Sequence, residues 1–509
     1  MVLLELTTLI VVVLSLGYYY VKRSQRYWAN RNAPHLPVKS FWGNMENPIT
    51  TKKGLKFDLK NAHDELKRLG YKHGGISLFT QPVYLAVDPE VCKLILTKDF
   101  QYFGGRGGDI DYERNPLAGH ERNPLAGHLF NLDGEKWRNL RVKLTPTFTS
   151  GKMKLMFDTL LSSGIPMLDR IGEFARENKA IDIKETVGCY TTDVIGSCAF
   201  GVECNSFKDP NSDFRRNGRK IFSPRLAFTL AQFLRFIAPP LMRAINLKII
   251  PQDIEDFFIG AVKSVIHHRN VNQVQRNDFL QILLNLQEQF KKDGKNQMNL
   301  EEFSAQCFVF FVAGFETSST TLTFCLHELA FNQDVQDKLR NEIREAMQNN
   351  DGKLTYDSVM GMKYLDGVVN ETLRKYPPVP ALFRKCDRDY TLTNTNTTLQ
   401  AGIQVFISVL GLHYDEEYYP DPEKFIPERF MEENKHNRPQ YTHLPFGEGP
   451  RNCIGARFGL MQTKTALAMI LDKFKVLPGP EETYKVNYDP KVLIMTKKGE
   501  LTLKAEILG

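Results

Sequence analysis

Residues His443–Phe458 read HLPFGEGPRNCIGARF and set one cysteine, Cys453, on a glycine-rich turn just before a helix. Gly447, Gly449 and Gly455 omit side chains where the backbone must bend or where something flat must come close, and Pro450 stiffens the turn between them. The following ARFGLMQTKTALAMILDKF carries Phe458, Met461, Thr465, Ala468 and Met469 at helical spacing. Free N–H groups and the dipole at that helix start favour an anionic sulfur. The residues describe either a thiolate ligand or a buried small hydrophobe in a tight turn.

The spacing Phe446-x-x-Gly449-x-Arg451-x-Cys453-x-Gly455 resembles the haem-binding loop of the cytochrome P450 family at every fixed position. The resemblance implies haem b, with Cys453 as the axial ligand of its iron. A proximal thiolate pushes electron density onto the iron and favours O–O cleavage.

Three further segments carry the same resemblance. Asn299 and Glu302 form a capping box, and no proline interrupts the next thirty or so residues, so a long helix is expected. Its CFVFFVAGFETSS centre is apolar on every side from Cys307 to Val312, as in a helix through the middle of a large domain. Ala313-Gly314-x-Glu316-Thr317 is similar to the family's oxygen-binding segment. That likeness gives Gly314 close approach of a ligand to the backbone, and Glu316 and Thr317 proton delivery. A core helix whose threonine bonds its own backbone is the plainer alternative.

Trp137 and Arg141 stand four apart on one helical face. They resemble the family's helix that holds a haem propionate, and Arg106, Arg384 and Arg451 join them by position in the family. Glu371 and Arg374 share a helix face three apart, a weak signal alone. Pro422-x-x-Phe425-x-Pro427-Glu428-Arg429-Phe430 follows, and in the family the later arginine closes a buried network behind the cysteine loop. Glu371, Arg374 and Arg429 are therefore expected to be structural. Phe310, Phe311, Phe315, Val379, Leu382 and Phe383 are expected to wall the substrate pocket, with Phe207, Phe214 and Phe222 as further contacts.

Of 509 residues, 42% are hydrophobic and 25% charged, the balance of a globular chain with a substantial core. The formal charge of +7 suits an anionic membrane surface or an acidic partner, and no basic run interleaved with aromatics points to nucleic acid. Eight cysteines without a CxxC pair read as reduced thiols facing a cytosol. Val2–Val21 is an apolar run of spanning length, and Lys22, Arg23 and Arg26 follow it at once. Positive charge behind the span makes a signal anchor and keeps the rest cytoplasmic.

The expected organisation is a transmembrane anchor over 1–21, a basic, proline-containing linker over 22–45 and a catalytic domain over 46–509. The fold implied is that of the family, mainly α with a small β region. Paired strands are expected between Gly75 and Val87. ERNPLAGH occurs twice, at Glu113–His120 and Glu121–His128. It reads either as a lengthened lid over the pocket or as a scar. Leu226–Leu247, with Arg225 before it and Arg235, Pro239, Pro240 and Arg243 within, reads either as a membrane-surface dip or as a packed helix pair.

Phrases such as FNLDGEKWRNLRVKLTPTFTSGKMK are similar to insect microsomal forms of family 6, the xenobiotic-metabolising branch. The resemblance implies monooxygenation of lipophilic substrates with dioxygen at the endoplasmic reticulum membrane. No nucleotide-binding GxGxxG unit is evident, so electrons are expected through NADPH–cytochrome P450 reductase, with cytochrome b5 as a second partner. Arg438, Arg457 and Lys464 are the docking candidates. The alternatives are oxidation of an endogenous hormone or lipid, a haem-thiolate isomerase or dehydratase, and a membrane-tethered carrier without turnover.

Overall fold

The structure, a computed structural model, describes residues 2–48, 50–106, 123–222, 250–292, 294, 297–393, 395, 397–434 and 436–509. The helices that position the site are α1 (Val2–Gln25), α2 (Leu55–Arg68), α3 (Gly134–Leu144), α4 (Ser150–Arg176), α5 (Ile183–Ile195), α6 (Leu300–Phe331), α7 (Lys363–Lys375) and α8 (Ala456–Lys473). A four-stranded sheet accompanies them, built from β1 (His73–Leu78), β2 (Gln81–Ala86), β3 (Ala381–Lys385) and β4 (Gln404–Ser408) in the order β1-β2-β4-β3. Only the β2–β4 pairing is parallel. The mainly helical architecture with a small β region expected from the sequence is the one the chain forms.

The capping box opens α6 as its sequence dictates. The Asn299 side chain accepts from the Glu302 N–H at 2.8 Å, and the Glu302 carboxylate accepts from the Asn299 N–H at 3.0 Å. Two orphan donors of the first turn are thereby satisfied. Over 32 residues α6 packs on α5, α7 and α8 and forms the axis of the main core. It is long and apolar enough to cross a membrane, but it lies largely inside the domain.

The Leu3–Gln25 stretch of α1 meets the same length and composition test, and its apolar side chains stand exposed. The chain leaving it is docked rather than free. Gln25 donates to the Phe41 carbonyl at 2.8 Å, Trp28 Nε1 donates to the Ile76 carbonyl at 3.0 Å, and Leu36 N–H donates to the Gly75 carbonyl at 3.0 Å. The segment expected as a linker is thus bound to β1.

Residues 123–128 of the second copy are part of the core. Leu125 and Ala126 are buried in a 3₁₀ turn facing α6. There the Gln306 amide accepts from Leu129 N–H at 3.0 Å and donates to the Gly127 carbonyl at 3.2 Å. The first copy, Glu113–His120, lies outside the described residues, as do Arg225 and Leu226–Leu247.

Candidate active site

Three backbone bonds shape the cysteine loop: Gly447 N–H to Leu444 O at 3.1 Å, Asn452 N–H to Gly449 O at 3.0 Å, and Cys453 N–H to Phe446 O at 2.8 Å. Gly449 has φ +75°, and a Cβ there would stand 1.9 Å from the Leu96 carbonyl oxygen. Its glycine is demanded by that close backbone approach, not by a flat ligand. Gly455, with the ordinary φ of −91°, faces the cavity, as do Phe446 and Arg451. The other seven cysteines are buried, whereas Cys453 opens onto a cavity of about 1370 Å³. Walled by protein, its thiol is pushed up by burial, against the pull of the Gly455 N–H and the Arg106 and Arg141 guanidiniums.

Four arginines crowd one edge of this cavity. Arg451 donates from Nε to Gly104 O at 2.9 Å and from Nη2 to Asp133 Oδ1 at 2.7 Å, and its guanidinium lies 4.2 Å over the Trp137 ring. Arg106 donates to Arg451 O at 3.0 Å, and Arg384 to its neighbour's carbonyl, Phe383 O, at 2.8 Å. Burial pushes Arg384 and Arg451 down to about 10, and Arg451's charge adds to the fall at Arg384. Arg106 is held well below its usual value by burial and by Arg384 and Arg451. The buried Arg384 Nε and Arg451 Nη1 have no hydrogen-bond partner within the chain. A cationic, under-partnered wall of this kind fits a ligand carrying carboxylates, as haem does. Arg141 is spent differently, donating to both the backbone and the side-chain oxygen of Asn452, at 3.0 and 2.7 Å. It fastens the residue that precedes Cys453.

Helix α6 presents Phe310, Ala313, Gly314, Thr317, Ser318 and Thr321 to the cavity at helical spacing. Thr317 Oγ1 donates to Ala313 O at 2.7 Å, the self-bonding geometry of the plainer alternative. A Cβ on Gly314 would come within 2.8 Å of Ile195 Cδ1, so the missing side chain lets α5 pack closely. Glu316 does not face the cavity. Its carboxylate pairs with Lys184 on α5 at 3.0 Å.

Val379, Leu382 and Phe383 line the cavity as expected from the sequence. Phe311 and Phe315 do not. One residue past Phe310 the helix has turned by about 100°, and both rings pack into a cluster with Phe200, Phe214 and Phe258. Phe214 is held in that cluster, and Phe207 packs against the core. The Phe222 side chain lies outside the described residues.

Behind the loop, Arg374 binds Glu371 through a two-pronged fork, both bonds at 2.8 Å, and both side chains are fully buried. Arg429 Nε stands 3.4 Å from the same carboxylate. His413, which the sequence reading missed, completes the link to the cysteine loop. Its Nδ1 faces the Arg374 carbonyl at 2.9 Å and its Nε2 faces the Leu444 N–H at 2.9 Å. These partners demand a neutral ring protonated on Nδ1, and burial holds its pKa down to about 3.

Because the folded-state value lies below the ordinary 6.5, His413 contributes stability above pH 6.5 that is lost as pH falls toward about 3. His413→Leu should lower stability at neutral pH by about 1–3 kcal/mol and flatten this acid limb. Urea unfolding of the holoprotein between pH 4 and 7 checks both effects, and an unaltered limb would contradict the assignment.

One exposed cysteine over a large cavity, a cationic wall and a buried network behind the loop make a candidate haem-thiolate site. No cluster of three His, Cys, Asp or Glu able to hold a metal lies among the described residues. A family model described as cytochrome P450 matches residues 37–504. The chain is 39% identical to "Probable cytochrome P450 6a14" of Drosophila melanogaster over 98% of both chains. It is 41% identical to "Cytochrome P450 6j1" of Blattella germanica, covering 93% of this chain and 92% of that one. It is 39% identical to "Cytochrome P450 6A1" of Musca domestica, with coverages of 98% and 97%. The chain belongs to the cytochrome P450 family and is a haem b-dependent monooxygenase.

Proposed function

We propose that this enzyme oxidises lipophilic foreign compounds, such as plant toxins or insecticides, at the endoplasmic reticulum membrane with its catalytic domain facing the cytosol. The observation that carries the reading is the cavity itself. It runs from Cys453 to Trp42, Met45 and Pro48, residues that follow the anchor helix, and its walls are mostly apolar. A lipophilic molecule leaving the bilayer would meet that end first, and endogenous lipids or hormones are the second class such walls accept.

When bound, haem b supplies the activation of dioxygen. In this reading Cys453 would hold the iron, Arg106, Arg384 and Arg451 with Trp137 would meet the haem carboxylates, and Arg141 steadies the loop. Thr317 donates a hydrogen bond into the cavity when its hydroxyl turns from Ala313 O. Glu316, bound to Lys184 at the α5 side and turned from the cavity, exchanges protons with water, which relays them inward.

Electrons come from NADPH through a separate reductase, with cytochrome b5 as an additional donor, docking on the cysteine side. Arg457 is exposed there. Lys464 is buried against Asp366 at 2.7 Å, so it leaves the docking set. Arg438 lies over Phe430 and donates to Arg429 O at 2.8 Å. The test is turnover of a panel of lipophilic compounds by the purified chain with reductase. Oxygenated product coupled to NADPH consumption is expected, and product formed equally without NADPH would overturn the reading.

A further inference from the structure

Helix α2 carries a lysine with almost no exposure. Lys56 is 1% exposed, and its Nζ donates to three backbone carbonyls of one loop: Asp489 O at 2.6 Å, Val492 O at 2.9 Å and Ile494 O at 3.4 Å. An ammonium has three protons, and all three are used. Burial pushes this group down to about 8, opposed by the charge of Asp489. A buried cation is costly unless its hydrogen bonds are made, so the three carbonyls hold the lysine as firmly as it holds them.

The loop so held belongs to the substrate cavity. Pro490, Lys491, Val492 and Leu493 line it, as does Leu55 beside the lysine. Few other bonds fix the loop. Asp489 N–H reaches Thr496 O at 2.8 Å, Lys498 N–H reaches Asn487 O at 2.8 Å, and Met495 N–H reaches Pro378 O at 3.3 Å. These three lie at or beyond the ends of the lining segment, and within it Lys491 N–H reaches Asp489 Oδ1 at 2.8 Å, a bond internal to the loop. The carbonyls between them converge on Lys56. Nearby, the Phe57 and Tyr488 rings meet with centroids 5.3 Å apart.

We propose that Lys56 is a positioning residue for substrate selection, holding the 489–494 loop so that Val492 and Leu493 form a fixed wall of the cavity. The first helix after the membrane-proximal segment thereby sets the shape of the space in front of Cys453. This rests on reading that cavity as the substrate site. Removing the ammonium leaves three half-buried carbonyls without donors and releases the wall, which weakens ligands large enough to lean on it and spares those that are not.

The test uses the haem-loaded full chain and two azole probes read by the shift in the haem absorbance band: compact imidazole, and clotrimazole, an imidazole bearing three aryl groups. Lys56→Met should raise the Kd for clotrimazole relative to imidazole by roughly tenfold, the effect of losing one or two good contacts. Lys60→Met is the control, since Lys60 pairs with exposed Asp64 across one helix turn and lies over the Tyr414 ring at 5.8 Å, with no bond to the 489–494 loop, and should leave the ratio as in wild type. If Lys56→Met takes up no haem, Lys56→Gln, which keeps two N–H donors, replaces it with the same outcomes. A ratio that falls or stays within about twofold of wild type overturns the proposal. The azole ratio needs no turnover, so failure here and failure of the proposed oxidation remain distinct results.

Discussion

Glu371→Gln should cost the folded chain about 3–5 kcal/mol and leave it largely without haem. The carboxylate sits fully buried between Arg374, also fully buried, and Arg429. Glutamine keeps the shape and can still accept from the Ile426 N–H, which now reaches Glu371 Oε1 at 3.0 Å. What it removes is the charge, stranding a guanidinium with no exposure. The damage reaches the site along a continuous path: Arg374 donates to His413 O at 3.1 Å, and the His413 ring joins the Arg374 backbone to Leu444, where the cysteine loop begins. Haem content per chain and the urea midpoint measure the effect together. A midpoint equal to that of wild type would show the network to be dispensable.

Cys453→Ala should act in the opposite manner, abolishing chemistry while preserving the fold. The loop is closed by the Cys453 N–H on Phe446 O and by Arg141 on Asn452, and none of these bonds involves the sulfur. Stability of the haem-free chain should stay within about 0.5 kcal/mol of wild type, as for substitutions away from packed or bonded features. Turnover should fall by roughly a thousandfold or more, on the order of 4 kcal/mol in the barrier. Circular dichroism melts of the haem-free proteins and product formation with reductase separate the two statements. A variant that unfolds would move Cys453 from ligand to structural residue.

Features written in short spacings were legible before any coordinates: the cysteine loop, the capping box of α6 and the Glu371–Arg374 pair, to which the family resemblance added Arg429. Each depends on neighbours a few residues away or on one helical repeat. The faces of α6 were not, because a segment apolar on every side has no period to mark which phenylalanine points where. Phe310 reaches the cavity while Phe311 and Phe315 turn into the core. Glu316 shows the same limit, since its partner Lys184 is 132 residues distant. His413 and Lys56 left no trace at all. Their partners are mainly backbone groups, which every residue possesses, brought near only by the folded chain. The seven buried cysteines also looked the same as Cys453 in sequence until the glycine turn set it apart.

The reduced carbon monoxide difference spectrum of wild type and Cys453→Ala, each normalised to chain concentration, tests the central assignment most directly. Wild type should give the band of a thiolate-ligated haem, and the variant should give none. The same thiolate band in Cys453→Ala would contradict Cys453 as the iron ligand.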